Sequence, residues 1–397
     1  MAHRRTKARE YTIHAIMRPR LAVSSLAIAI AVSAAMPRAQ SSVPPSAPGK
    51  KNPLLKLAEP WPDADTLKAN RIEAENRPLF RKTEPLEFTL TAAFRVINKD
   101  HNPESKVRYP GVLTVAASDG TPRDIPVKLS ARGHFRRMSR NCSDVPLRVE
   151  FPKDGLGGTP FEGQTTLKLG TGCDDSKEYE QITLREYLSY PMFNLVTPTS
   201  FRARLARATY VDEKSKKKNG PRYALFIEHE NDVARRAEGR IVELPRVVFK
   251  DLHDETLTRM MLFEYMIGNT DMSIYAIHNV RLVQKPNRTL LPVPYDFDLS
   301  GLVHAPYAAP DRNLGLRSVV DRLYRGPCRS LDEFESSAAA FRARRTEILA
   351  LTDSLPDLER ASRNEMREYL ESFFRTIDKP ASVNKTFVDG CKPKPTM

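Results

Sequence analysis

Several signatures are missing from this 397-residue chain, and each absence closes a route. No HExxH pair occurs. His134, His229, His278 and His304 never stand four apart, so a helical zinc site has no foundation. There is no GxSxG, which leaves Ser/His/Asp chemistry without its nucleophile turn. The GxGxxG spacing is absent too, and Asp154–Gly158 (DGLGG) reads as a turn rather than a phosphate cradle. Cysteine is scarce: Cys142, Cys173, Cys328 and Cys391 are too widely spaced for a zinc motif. Beyond the first forty residues nothing is apolar enough to cross a bilayer, and no internal repeat is visible.

What is present begins with a leader. Leu21–Ala35 (LAVSSLAIAIAVSAA) is an uncharged apolar run after Arg18 and Arg20, followed by small residues, the layout of a secretory signal over residues 1–40. The alternative is an uncleaved N-terminal anchor. Export places an even number of cysteines in an oxidising compartment, where two disulfides are expected; Cys142–Cys173 with Cys328–Cys391 is the local pairing. The net charge is +14, and +8 remains once residues 1–40, with seven Lys/Arg and one Glu, are removed. That balance favours anionic partners. Scattered basic residues and export argue against nucleic acid, and the Lys214–Asn219 run (KSKKKN) reads as a solvated hairpin tip.

Residues 41–84 open as a Pro- and Ser-rich linker and continue as an N-terminal extension. From Leu86, short alternating stretches predict an antiparallel sheet: 86–96, 111–116, 125–130, 147–151, 165–169, 203–212 and 223–229. A helix is expected at Ile182–Val196 and another at Leu252–Gly268, with Gly268 as its C-cap. The tail is helical over about 330–355 and 357–377. Strands first and helices later predict an α+β fold of two lobes, sheet-rich to about residue 230 and mostly helical over 231–397.

One segment points to chemistry. Met266–Gly301 sets Asp271 and Asn279 around a turn, follows with a hairpin, and closes on Asp296 and Asp298. Phosphoryl transfer needs little covalent help from a protein. It needs a cation on the phosphate oxygens and a carboxylate that orients the acceptor hydroxyl. Magnesium keeps several waters, so one carboxylate and one carboxamide suffice as its protein ligands. Each of these residues alone has a plainer role as loop carboxylate, turn residue or strand-end cap; their order after an apolar helix favours the functional one.

These residues resemble the CotH group of secreted atypical protein kinases and, more remotely, HipA-type kinases. The likeness rests on Ser130–Arg137 (SARGHFRR) with Val145–Phe151, on Tyr223–Arg236 (YALFIEHENDVARR), and on Gly268–Asp271 with Pro294–Asp298, across residues 85–305. It implies a two-lobed atypical kinase-like domain over 85–397 that uses ATP with Mg²⁺ or Mn²⁺ on a protein or cell-envelope acceptor. Asp271 would be catalytic; Asp296, Asn279 and Asp298 would hold the metal. Arg148 or Lys168 would contact phosphate, with Glu228 pairing either one and Arg132 facing the phosphates. A catalytically inactive envelope protein that binds an anionic ligand in the same basic cleft is the competing expectation.

Overall fold

A strand that alternates apolar and polar side chains has one face to bury, and a sheet that curls onto itself buries that face without a second layer. Seven strands do this: β1 Leu86–Ala92, β2 Tyr109–Ala116, β3 Pro122–Ala131, β4 Leu147–Glu150, β5 Thr166–Thr171, β6 Ala203–Asp212 and β7 Lys218–Ile227. They form a closed barrel in the order β1-β2-β3-β4-β5-β7-β6. Its interior is filled by Leu90, Leu113, Leu129, Val149, Leu167, Leu169 and Phe226. The computed structural model describes residues 55–391; the leader expected at residues 1–40 lies outside them.

The barrel corrects the expected architecture. The strands do not make an antiparallel N-terminal sheet, and the molecule is not a two-lobed kinase-like fold. Every barrel pair is antiparallel except β1 with β6, which run parallel from Leu86 opposite Ala206 to Ala92 opposite Asp212. That pairing joins segments more than a hundred residues apart, and alternation within a strand carries no information about which distant edge it meets. The described residues also fall within a single compact unit rather than two.

Against the barrel packs a second core. Three strands, β8 Arg240–Val242, β9 Val280–Gln284 and β10 Leu290–Pro294, form a small sheet in the order β10-β9-β8. Helices Lys177–Val196, Asp254–Ile267, Leu331–Ala343 and Arg360–Ile377 share its core, and Asp254–Ile267 packs directly on β10. The last buries Met366, Leu370, Phe373, Phe374 and Ile377, one stripe at helical spacing. Helix Asp254–Ile267 ends where Gly268 takes left-handed backbone (φ 65°) and donates its N–H back into the last turn. Within the N-terminal extension, helix Ala64–Glu75 is capped by Asp63 and packs on helix Glu230–Arg236; just beyond it, Arg77 Nε meets Asp232 Oδ2 at 3.2 Å.

Two disulfides form, Cys142–Cys173 and Cys328–Cys391, the pairing that chain proximity favoured. Among the described residues no helix is long and apolar enough to cross a membrane.

Candidate functional site

The loop after helix Asp254–Ile267 solves a spacing problem. Asp271 and Asn279 are eight residues apart, yet Ser273 and His278 exchange backbone hydrogen bonds (Ser273 N to His278 O 3.1 Å, His278 N to Ser273 O 2.9 Å) and fold the intervening residues into a small turn. Asn279 is thereby returned to Asp271. Its Nδ2 donates to the Asp271 carbonyl at 2.7 Å and to Oδ2 at 3.0 Å, while His278 Nε2 lies 3.3 Å from Oδ1. The Asp271 hydrogen bond raises the His278 pKa, and the charges of Asp271 and Asp296 add to it against partial burial. Both carboxylates therefore act on one imidazole.

Asp296 follows β10, and its backbone is left-handed (φ 70°), as is that of Asn279 (φ 54°). Asn and Asp are the non-glycine residues that tolerate this region best, and such strain collects where geometry is dictated by function. The Asp296 N–H donates to Tyr190 Oη at 3.2 Å, and Arg132 Nη2 lies 3.4 Å from Asp296 Oδ2. Asp298 is buried and accepts from Tyr307 Oη at 3.0 Å. Burial and the neighbouring Asp296 charge push the Asp298 carboxyl up to about 6, against the pull of Arg136.

Lys168 reaches this group from the outer face of the barrel. Its neighbours along β5, Leu167 and Leu169, point inward, so pleating sends Lys168 outward. Its Nζ stands 3.6 Å from the centre of the Tyr295 ring and is buried with no hydrogen-bond partner. Burial holds its pKa well below the lysine range, and the charges of Arg132 and Arg281 push the same way, opposed by Glu230 and Asp296. Arg148 sits directly opposite Lys168 in the β4·β5 register but is exposed.

Glu228 is not part of this cluster. Its carboxylate is fully buried and taken up by Arg202 (2.7 Å) and Arg236 (2.8 Å), which tie the end of β7 to its surroundings. The acid beside Lys168 is Glu230, two residues on, in the first turn of its helix and 2.6 Å from Arg281 Nε.

Sequence reasoning also passed over Glu186 and Tyr190. They sit four apart on helix Lys177–Val196, the spacing that puts two side chains on one face, and a buried Glu amid apolar residues was the available signal. Burial pushes the Glu186 carboxyl up to about 8, reinforced by the charges of Asp298 and Asp296. Arg136, from the loop after β3, faces the same acids and donates to the Thr171 carbonyl.

Among the described residues no group of three or more His, Cys, Asp and Glu side chains could hold a metal ion unaided. Magnesium bound with a phosphate asks for less, since phosphate and water oxygens fill most of its positions. Asp296 and Asp298 fit that requirement, because the Asp296 charge acts on the buried Asp298 carboxyl and a cation would relieve it. Asn279 fits less well. Its Nδ2 is committed to Asp271, leaving only its side-chain carbonyl to offer.

Set against protein-family models and against curated proteins, the chain matches none.

Proposed function

We propose that this chain is an exported phosphotransferase that takes ATP with Mg²⁺ or Mn²⁺ and phosphorylates a protein or cell-envelope acceptor. The observation that carries the reading is the buried Lys168 amine, without a hydrogen-bond partner, beside Arg132 and close to Asp296. A buried polar group without a partner is costly, and an anionic ligand that meets it turns that cost into affinity. Paired basic and acidic groups of this kind suit a phosphate chain that arrives with its cation.

In this reading Lys168 and Arg132 hold phosphate oxygens. Asp296 and Asp298 hold the divalent ion, which when bound neutralises phosphate charge. Asp271, fixed from both sides by His278 and Asn279, orients the acceptor hydroxyl and takes up its proton as the oxygen attacks the terminal phosphorus and the bond from that phosphorus to the departing ADP breaks. Glu230, held by Arg281, supplies a negative charge near Lys168. The reading rests on this cluster and draws nothing from the overall architecture. Export is supported by the apolar Leu21–Ala35 segment and the two disulfides.

The test is nucleotide-dependent stability together with transfer. ATP with Mn²⁺ at a hundredfold excess over Kd adds about 2.7 kcal/mol, a melting shift of roughly 3–6 °C. Asp296→Ala and Lys168→Met should each lose the shift, and Lys168→Met should keep its basal stability because the ammonium has no hydrogen bond to forfeit. Labelled terminal phosphate should move to an acceptor. A shift that needs no metal, is matched by inorganic polyphosphate, and comes without transfer would refute the enzyme and leave the inactive anion binder.

A further inference from the structure

A short helix, Phe94–Ile97, lies at the end of the barrel where β1 and β6 finish and β2 and β7 begin. Phe94 meets Tyr210 edge-on with ring centres 5.4 Å apart, and Ile97 is fully buried in the barrel core. Arg95 and Val96 are left outside, both exposed. Beside the helix stands the β6–β7 hairpin. The Arg95 N–H donates to Asp212 Oδ2 at 3.2 Å and the Glu213 N–H to the Ala92 carbonyl at 2.9 Å, so helix and hairpin make one surface. The loop that follows the helix is tied to it as well. The Asp100 N–H donates to the Ile97 carbonyl, and the Asp100 carboxylate accepts from Ser105 Oγ and from Arg137 Nη2, each at 2.7 Å.

Charge on this surface is one-sided. Lys214, Lys216, Lys217 and Lys218 crowd the hairpin tip, and Arg95, Lys99 and Lys106 come from the helix and its loop. All of them are exposed, and none makes an ion pair or a side-chain hydrogen bond. The acids of the same segments are partly spent. Asp100 is held by Arg137, and Asp212 accepts from Ser215 and from the Arg95 N–H, which leaves Glu104 and Glu213. Like charges gathered this way repel one another, and an anionic surface laid against them relieves the repulsion.

Two apolar side chains decide between anions. Val96, on the helix, is 46% exposed, and Val107, at the end of the loop, is 50% exposed. A soluble polyanion gains nothing from them. The boundary between lipid headgroups and acyl chains takes up apolar groups while basic neighbours meet the phosphates. We propose that this end of the barrel docks on an anionic lipid bilayer, its lysines on the headgroups and Val96 and Val107 at the acyl boundary. None of these residues belongs to the Lys168 cluster, so docking and phosphoryl transfer are separable.

Vesicle flotation tests the surface, with the chain from Ser41 onward, which omits the apolar leader and keeps every described residue. Vesicles of equimolar phosphatidylglycerol and phosphatidylcholine should bind, vesicles of phosphatidylcholine alone should not, and affinity should fall steeply as salt rises. Replacing Lys214, Lys217 and Lys218 together by Gln should weaken binding about a hundredfold, about fivefold for each charge. The melting temperature should stay where it was, because none of the three has a partner to lose. Val96→Ser with Val107→Ser should weaken binding severalfold at every salt concentration. Lys153→Gln with Lys379→Gln, exposed elsewhere, should bind as the parent does. Absence of phosphatidylglycerol-dependent binding overturns the proposal, as does a triple Gln variant that binds normally or a Lys153/Lys379 variant that is weakened as much. Normal binding by the double Ser variant overturns the lipid in favour of a soluble polyanion.

Discussion

Glu264 lies near the end of helix Asp254–Ile267, behind the Asp271 loop, with 3% of its surface exposed. Neither carboxyl oxygen has a hydrogen-bond partner, although the Asn269 carboxamide is its neighbour. Burial pushes its pKa from 4.5 up to about 8, and the charge of Asp271 adds to the effect. The folded protein must therefore keep a proton that the unfolded chain releases above pH 4.5. A carboxyl raised in this way contributes its full stability below the unfolded value and loses it as pH climbs toward the folded one. From pH 4.5 to 7, at about 1.4 kcal/mol per pH unit, the loss is roughly 3 kcal/mol. Glu264→Gln carries no titrating proton and removes this slope. Urea unfolding at pH 5, 6, 7 and 8 should show the variant gaining on the parent at each step, by about 3 kcal/mol at pH 7. Glu186 and Asp298 add slopes of the same sign to both proteins, so the difference between the two curves isolates Glu264. Parallel curves would refute a buried, protonated Glu264.

Two further outcomes follow from the geometry. Glu228→Ala leaves Arg202 and Arg236 facing an empty buried site, so chemical denaturation should record a loss of about 3–5 kcal/mol; an unchanged midpoint would mean the pair is worth little. Opening the Cys328–Cys391 bond, by paired Ser substitution, frees a loop of 63 residues in the unfolded chain and should cost about 4 kcal/mol; a melt that moves by less than a degree would contradict that.

Much of the local structure was legible because alternation and helical spacing are properties of neighbours. Ala203–Asp212 was delimited to the residue, and Gly268 marked its helix end by the left-handed turn it permits. Closure was not legible, because the parallel β1·β6 contact depends on where two distant segments meet in space. The same distinction divides the cluster. Asp271, Asn279, Asp296 and Asp298 stand in one short stretch whose order could be read. Glu186, Tyr190 and Glu230 arrive from two other helices, at spacings that any packed helix would show. Glu228 and Glu230 are the sharpest case. Two residues apart, one is turned back onto Arg202 and Arg236 and the other forward onto Arg281, and the difference lies in a change from strand to helix between them.

The parallel seam between β1 and β6 also orders events in time. No ring can be sealed until β7 has been made through Ile227, some 135 residues after the first strand leaves the ribosome, so the early segments spend that interval with unpaired rims. Shortening the chain from its front through Ala92 would leave that vulnerability permanent, with β2 and β6 both offering bare backbone to whatever extended segment passes.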